Sequence, residues 1–354
     1  MACSVTYRTA CRVCGSQRLD AFLELPDMPL TDAFLPEDRL GQEFRCAVKI
    51  FRCTDCGVCQ TLHDVDMGDY YNEYTYTTSA SGFARRFMQE LAEEAWRRFG
   101  LRSGDVVVEV GSGDGAQLGF FKQLGAKVFG FEPSAPLVAA ARTAGIPVAL
   151  RLFDHEAERD IPPDCLPVHL MLLCYTFDHL PDPMDFLAGA RRVLDPQRGV
   201  LLLEVHDLAK IVERREFCLF EHEHTTYCCA ATMQALLRRA GFEVLDVGLL
   251  PEERRRANSL VVSATPRGSA RASGALPTLE AGELGRPETY AAFGQAVLRS
   301  VEKLRTYVRD QRARGRRLAG YGAGGRGVMT LAACARPGDF AYVCDQNPSF
   351  HGLY

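Results

Sequence analysis

The chain has 354 residues, 47% of them hydrophobic, and a formal net charge of −4, so it can form two or three folded domains and has no basic excess that would favour nucleic-acid binding. No apolar run reaches membrane-spanning length and the N-terminus lacks the form of a signal peptide, which makes the cytoplasm the expected location. Fourteen cysteines without a secretion signal favour metal ligation and buried thiols over a disulfide scaffold.

Two C-x-x-C-G motifs stand in residues 1–68, the predicted first domain. Each motif is a knuckle in which two thiolates hold one side of a metal while the glycine permits a tight turn. Paired knuckles predict a tetrahedral structural zinc site, because its four thiolates leave no open position. The predicted ligands are Cys11, Cys14, Cys53 and Cys56. A redox-active pair would need only one such motif, and Cys59 is a weaker competing ligand.

A tyrosine-rich stretch at 70–76 follows, and Ser79 or Ser81 is the expected cap of a helix at 82–99. The tyrosines have two interpretations. They could pack between domains, or the loop could cover a pocket and present a phenol to a substrate. Tyr74 and Tyr76 are the candidates for this second role.

Residues 106–133 predict a buried parallel strand, a glycine-rich turn, a helix and a second strand. An acid at the end of a second strand, here Glu132, is placed to accept hydrogen bonds from a ribose diol. The turn has the spacing G-x-G-x-G, whereas a dinucleotide site uses G-x-G-x-x-G. The stretch therefore resembles the first motif of class I S-adenosylmethionine (SAM) methyltransferases; the alternative is a glycine turn that binds nothing. The predicted cofactor residues of this stretch are Glu109, Gly111, Ser112, Gly113, Gly115, Glu132 and Pro133.

The predicted sheet continues with strands at 168–174 and 199–205 and a helix at 184–194. Phe153 stands where such folds place groups around an adenine, and Cys174 ends the fourth strand; both are predicted cofactor residues. His179 follows in a turn at the carboxyl edge of the sheet, where α/β enzymes bind ligands. It is either a capping residue or an acid/base group, and its position favours the second.

The segment 217–229 contains alternating acids and histidines, Glu221-His222-Glu223-His224. In an extended conformation both histidines would face one way and both acids the other. Two functions are open: metal binding by the two histidines, or a histidine base with a carboxylate neighbour. The base is favoured, because no third metal ligand is evident.

Residues 266–287 are rich in Pro, Gly, Ser and Ala and predict a linker. A charged helix at 288–314 leads to a second strand, glycine turn and helix at 317–327, and then to a strand at 340–344. This last part predicts a second Rossmann-like unit, with Tyr321 in its first strand and Arg326 ready for a phosphate.

Four separated features now point to one family. The twin knuckles, the VEVGSGDG turn, the HEH-x-x-Y segment and the terminal GYGAGGRG…DQNPSFHG resemble the zinc-containing, SAM-dependent sugar C-methyltransferases of antibiotic deoxysugar pathways, over nearly the whole chain. The resemblance implies an α/β fold with three domains: zinc binding at 1–68, a class I SAM methyltransferase Rossmann-like domain at 69–265, and a partial Rossmann-like nucleotide-sugar domain at 266–354. It also implies two cofactors, SAM and a structural zinc ion.

The resemblance implies a mechanism on TDP-4-keto-6-deoxy sugars. A base removes the proton beside the ketone, and the resulting carbanion attacks the SAM methyl group. The implied catalytic residues are His224 as base, Glu223 as its support, His179, Tyr76 and Glu221. The implied substrate-binding residues are Tyr74, His222, Tyr227, Tyr321 and Arg326.

Two departures from the family pattern affect the acceptor half. Glu221 stands where the family has tyrosine, and a carboxylate donates no hydrogen bond to an enolate unless it is protonated. The family also continues beyond residue 354, so we expect the last domain to be incomplete. Two other functions stay open: methylation of another enolisable carbonyl or heteroatom in a natural-product pathway, and a non-catalytic zinc and SAM binder. The expected partner is a nucleotide sugar, with no nucleic acid or membrane, and the expected state is a monomer or weak homodimer.

Overall fold

The computed structural model describes residues 3–68, 70, 79, 81–254 and 258–354. The chain forms two compact units. Unit 1 comprises Met1–Asp66, Leu208–Tyr227 and Gly282–Tyr354, and unit 2 comprises Met67–Asp207 and Cys228–Ala281. The three predicted domains stay a prediction, since compactness alone assigns the segment Leu208–Tyr227 to the same unit as both ends of the chain.

The strands of the described residues are β1 Val5–Tyr7, β2 Leu19–Pro29, β3 Arg45–Cys53, β4 Cys59–Thr61, β5 His63–Val65, β6 Val106–Val110, β7 Lys127–Glu132, β8 Val148–Leu150, β9 Leu170–Cys174, β10 Val200–His206, β11 Thr226–Tyr227, β12 Phe242–Leu249, β13 Ser259–Pro266, β14 Ala319–Tyr321 and β15 Tyr342–Cys344. The α-helices of the same residues are α1 Gly82–Arg98, α2 Ala116–Gln123, α3 Ala135–Thr143, α4 Pro183–Val193, α5 Leu208–Arg214, α6 Ala230–Arg239, α7 Pro287–Ala313 and α8 Gly325–Cys334.

Unit 2 is built on a seven-stranded sheet with the order β12-β13-β10-β9-β6-β7-β8. The five strands from β10 to β8 are parallel, and β13 pairs antiparallel with β10. The chain runs outward from β6 through β7 to β8 and then returns to the other side of β6 with β9. This change of direction creates a crevice at the carboxyl ends of β6 and β9, which is where open α/β sheets bind ligands. The predicted α/β class is confirmed.

The apolar sequence of β6 explains its central place. All five of its residues, Val106–Val110, are buried, as expected for a parallel strand covered on both faces. Phe87 and Leu91 from α1 and Leu118 and Phe121 from α2 join these strands in one core. The strand is therefore held rigidly where it enters the glycine turn.

Unit 1 contains a four-stranded antiparallel sheet with the order β11-β4-β3-β2. Helix α7 packs on it through a buried face that includes Tyr290, Phe293 and Val297. The unit also contains the two-stranded parallel sheet of β14 and β15, joined by α8. The sequence predicts this strand, turn, helix and strand at 317–344. No α-helix among the described residues is long and apolar enough to cross a bilayer.

Two features differ from the sequence-based expectations. Strand β2 covers eleven residues between the two knuckles, for which the sequence motifs predict no element. Its pairing with β3 is interrupted at Ala21/Leu23 and at Leu25/Met28, and these irregularities obscure the alternation that marks a strand. The acid–histidine segment lies between Phe217–Leu219 and β11, outside any strand, so the predicted extended alternation is wrong.

Close packing in unit 1 yields a testable prediction. Gly294 lies on the buried face of α7, and a Cβ atom there would stand 1.9 Å from the carbonyl oxygen of Phe22 in β2. We expect Gly294→Ala to lower the free energy of unfolding by about 1–3 kcal/mol, because helix or strand must shift.

Gly119→Ala is the matched control. Gly119 is also inside a helix, α2, but its added Cβ would meet nothing within 4 Å, so stability should stay the same or rise by up to about 1 kcal/mol. Thermal unfolding of the parent and both variants makes the comparison. Equal melting temperatures for the Gly294 variant and the parent would contradict the packing argument.

Candidate active site and metal centre

A cavity of about 410 Å³ opens at the carboxyl edge of the unit 2 sheet, a size usual for small-molecule sites. Of the nine predicted cofactor residues, eight line it: Glu109, Gly111, Ser112, Gly113, Glu132, Pro133, Phe153 and Cys174. Gly115 instead starts α2, where its positive φ of 78° makes the turn into the helix. Eight of the predicted residues therefore form part of the cavity wall, and Gly115 belongs to the turn behind that wall.

The glycine turn brings backbone close to the cavity. Gly111 has a φ of 73°, and a Cβ on it would lie 2.3 Å from Oγ1 of Thr176, which also lines the cavity. Only glycine accommodates both the left-handed backbone and this approach. The Ser112 hydroxyl is buried beside the turn and makes no hydrogen bond among the described residues. The turn is thus shaped to meet a ligand with backbone and one small hydroxyl.

Glu132 joins the two halves of the motif. Its Oε2 accepts a hydrogen bond from the Gly113 N–H at 2.9 Å, and its Oε1 accepts one from the Ser134 N–H at 2.9 Å. Burial raises the pKa of the Glu132 carboxyl, while the two N–H donors act in the opposite direction. The carboxylate therefore fixes the turn relative to the end of β7.

Aromatic side chains form the apolar wall of the cavity. Phe153 is buried, and its ring lies edge-on to Phe131, with 5.0 Å between the ring centroids. Pro133 and Leu137 continue this wall. A glycine turn, a buried acid and an aromatic wall suit the amino-acid tail, ribose and adenine of SAM, so the residues present fit this cofactor.

Histidines from two neighbouring strand ends also line the cavity. His179 follows β9 in the short turn Phe177–His179, as predicted. His206 ends β10, and its Nδ1 lies 2.9 Å from Oδ2 of Asp178. Sequence reasoning did not select His206 or Asp178. Their signal was available: residues after parallel neighbouring strands meet at one edge of a sheet.

The acid–histidine segment lies in unit 1 and is buried from Glu221 to His224. Nε2 of His222 must donate to the Met28 carbonyl oxygen, at 2.9 Å, because that oxygen can only accept. Its Nδ1 lies 2.9 Å from Nε2 of His63. Burial lowers the pKa of both rings to about 4, so His222 is a neutral, hydrogen-bonded residue of the unit 1 interior.

His224 is held differently. Its Nδ1 donates to the Leu219 carbonyl oxygen at 2.9 Å, and its Nε2 lies 4.0 Å from Oε2 of Glu221. Glu223 accepts from the N–H and the hydroxyl of Thr31 at 2.9 and 2.7 Å. Burial, and next the charge of Glu221, raise the pKa of Glu223 to about 7, while His224 acts in the opposite direction. The charges of Glu221 and His224 thus act in opposite directions on the pKa of the Glu223 carboxyl.

Several predicted substrate residues have other contacts. The Tyr227 hydroxyl is buried, donates to the His224 carbonyl oxygen at 3.1 Å and accepts from the Glu221 N–H at 3.3 Å. Tyr321 is exposed in β14, and Arg326 stands in the first turn of α8 with its guanidinium 4.0 Å from Glu216. Tyr74 and Tyr76 lie outside the described residues.

The second glycine turn differs from the first in what its N–H groups contact. The Ala323 N–H donates to Oδ2 of Asp345 at 2.7 Å, and the Gly325 N–H donates to Oδ1 of Asp32 at 3.1 Å. Burial raises the pKa of Asp32. Carboxylates of the chain therefore occupy positions at which a helix N-terminus would receive a phosphate.

The predicted metal centre is assembled in unit 1. The four knuckle sulfurs, from Cys11, Cys14, Cys53 and Cys56, all lie within 4.8 Å of one another. The sulfurs of Cys11 and Cys56 are 3.6 Å apart and those of Cys14 and Cys53 are 3.5 Å apart. Zn–S bonds of about 2.3 Å in tetrahedral geometry require sulfur separations of about 3.8 Å, so the site fits zinc. Cys59 lies in β4 and is not part of this cluster.

Comparison with known proteins matches three family models along the chain. They are a zinc binding domain at residues 11–71, a methyltransferase domain at 82–247 and a C-methyltransferase C-terminal domain at 260–354. The C-methyltransferase NovU of Streptomyces niveus is 30% identical over 330 residues, which are 92% of this chain and 78% of that protein.

Among solved structures, magnesium protoporphyrin IX methyltransferase from Synechocystis is 15% identical, covering 57% of this chain and 98% of that chain with a TM-score of 0.43. The CcbJ methyltransferase from Streptomyces caelestis is 17% identical, covering 57% and 97% with a TM-score of 0.41. At these TM-scores the two likenesses support no further conclusion.

The metal centre predicts a loss of zinc in cysteine variants. We expect Cys14→Ser and Cys53→Ser to lower the zinc content well below about one ion per chain, since each removes a thiolate from a closed site. Elemental analysis of the purified proteins measures this, and Cys344→Ser, at an exposed cysteine outside the cluster, is the control. Full zinc in either knuckle variant would contradict the assignment.

The glycine turn predicts a loss of SAM affinity. Gly111→Ala should weaken SAM binding at least about tenfold, because the left-handed backbone and the contact with Thr176 oppose a side chain there. Titration calorimetry measures the affinity, with Gly119→Ala as the control that leaves the turn intact. Unchanged affinity in Gly111→Ala would show that SAM does not approach this turn.

Proposed function

We propose that this chain, which belongs to the zinc-containing, SAM-dependent C-methyltransferases, methylates the carbon next to the ketone of a nucleotide-linked 4-keto-deoxysugar. The proposal is supported by three family models that match the chain one after another, for a zinc binding domain, a methyltransferase domain and a C-methyltransferase C-terminal domain. It is also supported by the similarity to a C-methyltransferase over 92% of the chain. The acceptor is proposed from the resemblance of the whole motif set to sugar C-methyltransferases.

The proposed reaction starts at a carbon whose proton is acidified by the adjacent ketone. A base takes this proton, and the electron pair of the C–H bond forms a C=C bond while the carbonyl pair moves to oxygen. When bound, SAM supplies an electrophilic methyl group, whose bonding electrons remain on the sulfonium sulfur as the new carbon–carbon bond forms. The proton taken by the base is finally released to water.

His224 is the proposed base. Because its Nδ1 donates to the Leu219 carbonyl oxygen, the neutral ring carries its lone pair on Nε2. A fixed tautomer of this kind suits a histidine that acts as a general base. Glu221 lies 4.0 Å from this nitrogen and would stabilise the charge that develops when it takes a proton. Glu223 supports the same segment through its bonds to Thr31.

The nucleotide part of the acceptor is proposed to bind side chains of β14 and α8 rather than the backbone N–H groups of the turn between them. Asp32 and Asp345 already accept from two N–H groups of its glycine turn. Phosphate binding would therefore depend on Arg326, a guanidinium that can pair with phosphate oxygens, and on Tyr321. His222, Tyr227 and Tyr74 are proposed to shape the rest of the subsite, and Tyr76 and His179 to contact the sugar.

A second candidate function keeps SAM but changes the acceptor. Glu221 stands where the family that this chain resembles has a tyrosine. A carboxylate cannot donate a hydrogen bond to an enolate oxygen as a tyrosine hydroxyl can, which favours a different acceptor. Another enolisable carbonyl, or a heteroatom, in a natural-product intermediate is the alternative acceptor.

The acceptor is tested directly. The parent protein should convert SAM and a TDP-4-keto-6-deoxyglucose derivative to a sugar that has gained one methylene, as read by mass spectrometry. Solvent deuterium should also enter the carbon beside the ketone. No methylated sugar and no exchange with any such derivative would favour the second candidate.

The base is tested by exchange in variants. His224→Ala should slow deuterium exchange by about 10²–10⁴-fold, because the proton acceptor is gone. His155→Ala, which removes an exposed histidine outside the cavity, should exchange like the parent. Retained zinc and SAM binding would confirm that the His224 variant is folded. Exchange at the parent rate in His224→Ala would refute the base assignment.

A further inference from the structure

Another cavity, of about 360 Å³, lies within unit 1 and is lined by residues of β2, β3 and the first part of α7. It shares no lining residue with the cavity at the carboxyl edge of the unit 2 sheet. Its wall is mostly apolar and includes Phe22, Tyr290 and Leu298. One charged side chain of this wall is buried: Arg52, in β3, is only 8% exposed.

Arg52 occupies a strand position that favours an apolar residue. Towards the end of β3, Val48, Ile50 and Arg52 are buried at every second position, so they stand on one face of the strand. The two aliphatic side chains need no polar partner there. A guanidinium at the third position costs free energy unless its charge and its N–H groups are compensated.

The structure gives this guanidinium only uncharged partners. Nη2 donates to the Gly285 carbonyl oxygen at 2.9 Å, and Cζ lies 5.6 Å from the centroid of the Tyr290 ring. Nε is buried and makes no hydrogen bond, and no carboxylate forms an ion pair with Arg52, in the part of the chain that the structure describes. Buried donors in native proteins are nearly always paired, and a bound ion or water commonly explains an exception.

Asp20 is the other charged residue of the wall, and it does not neutralise Arg52. The two residues stand opposite each other in the antiparallel pairing of β2 with β3, so their side chains leave the same face of the sheet. Asp20 is nevertheless exposed, while Arg52 turns to Gly285 and Tyr290. The wall therefore combines a buried cation with a solvated carboxylate.

The surrounding charges indicate which kind of anion this cation would take. Asp20 and Glu288, which is in the first turn of α7, would both repel a dianion such as phosphate. Pro287 begins α7 and has no N–H, so this helix start lacks one of the groups that bind phosphate. A carboxylate has a single charge, and its two oxygens match the planar guanidinium of Arg52.

We propose that this cavity binds a small organic carboxylate, with its charged group on Arg52 and its apolar body against Tyr290 and Leu298. The charge-assisted hydrogen bonds compensate the buried cation. The apolar body covers carbon surface of the wall, including Leu298, which is 49% exposed. The inference goes beyond the proposed function, because it concerns a different cavity and requires no assumption about the methyl acceptor.

Titration calorimetry of the zinc-loaded chain at constant ionic strength tests the class of ligand. Benzoate, which has one carboxylate and an apolar ring, should bind. Benzamide keeps the ring without the charge, and acetate keeps the charge without the ring, so each should bind at least about tenfold more weakly. Inorganic phosphate should also bind at least about tenfold more weakly, because Asp20 and Glu288 repel its second charge.

Variants of the two charged wall residues test the location. Arg52→Met keeps an apolar stem and removes the cation, so benzoate affinity should fall at least about tenfold. Arg52→Lys keeps the charge but not the planar fork, and its affinity should lie between those of the parent and Arg52→Met. Asp20→Asn removes a repelling carboxylate and should raise the affinity about two- to threefold.

A second arginine of the same strand is the matched control. Arg45 also stands in β3, but its Nε already lies 3.0 Å from the Asp27 carboxylate, and it does not line this cavity. Arg45→Met should therefore bind benzoate like the parent. Zinc content equal to that of the parent shows that each variant is folded.

Each alternative outcome overturns a stated part of the inference. No heat of binding from benzoate in the parent would assign the unpaired N–H to water and refute the site. Parent-like affinity in Arg52→Met, or an equal loss in Arg45→Met, would refute the role of Arg52. Benzamide or phosphate binding as tightly as benzoate would refute the carboxylate class. If Arg52→Met lacks zinc, unchanged affinity in Asp20→Asn would still refute the location. None of these results affects the proposed function, which the mass and exchange measurements test.

Discussion

The carboxylate of Glu132 is the contact on which the geometry of the methyl-donor cavity depends. It is buried at the end of β7 and receives N–H groups from Gly113, in the glycine turn, and from Ser134, the cap of α3. A buried charge without such donors would be strongly destabilising, so the turn and the start of α3 must stay where they satisfy it. The same turn must keep Gly111 against Thr176, beyond β9. The acid thus joins two loops directly, and the glycine turn that it holds meets a third loop at the carboxyl edge of the sheet.

The chain uses a related arrangement a second time, with a different result. In unit 1 Asp345 follows β15 and accepts from Ala323 in the second glycine turn, as Glu132 does from Gly113 in the first. Here, however, Asp32 accepts from the N–H of Gly325 at the start of α8. Two negative charges at one turn repel a third, which disfavours a phosphate at the same N–H groups. Similar sequence patterns therefore do not imply the same ligand chemistry, because a residue almost three hundred positions away completes the second site.

Much of the fold and of the donor site could be predicted because their signals are local. Knuckle spacing places two thiolates on one turn, and the glycine spacing with Glu132 defines a strand, a turn and a helix within one short stretch. What sequence reasoning missed depends on distant residues. The irregular pairing of β2 with β3 hides its alternation, and the approach of Glu221 to His224 follows from a bend outside any strand. His206 and Asp178 are 28 positions apart and meet only because β9 and β10 are parallel neighbours.

The partner of Nδ1 distinguishes the histidines of this protein. In His222 both ring nitrogens are held by hydrogen bonds within a buried interior, and burial lowers the pKa of the ring to about 4. In His224 Nδ1 meets a neutral carbonyl, which fixes the tautomer without placing a full charge on that side of the ring. In His206 Nδ1 meets the carboxylate of Asp178 at 2.9 Å. The three histidines thus differ in the group that contacts Nδ1, which is a second imidazole for His222, a backbone carbonyl for His224 and a carboxylate for His206.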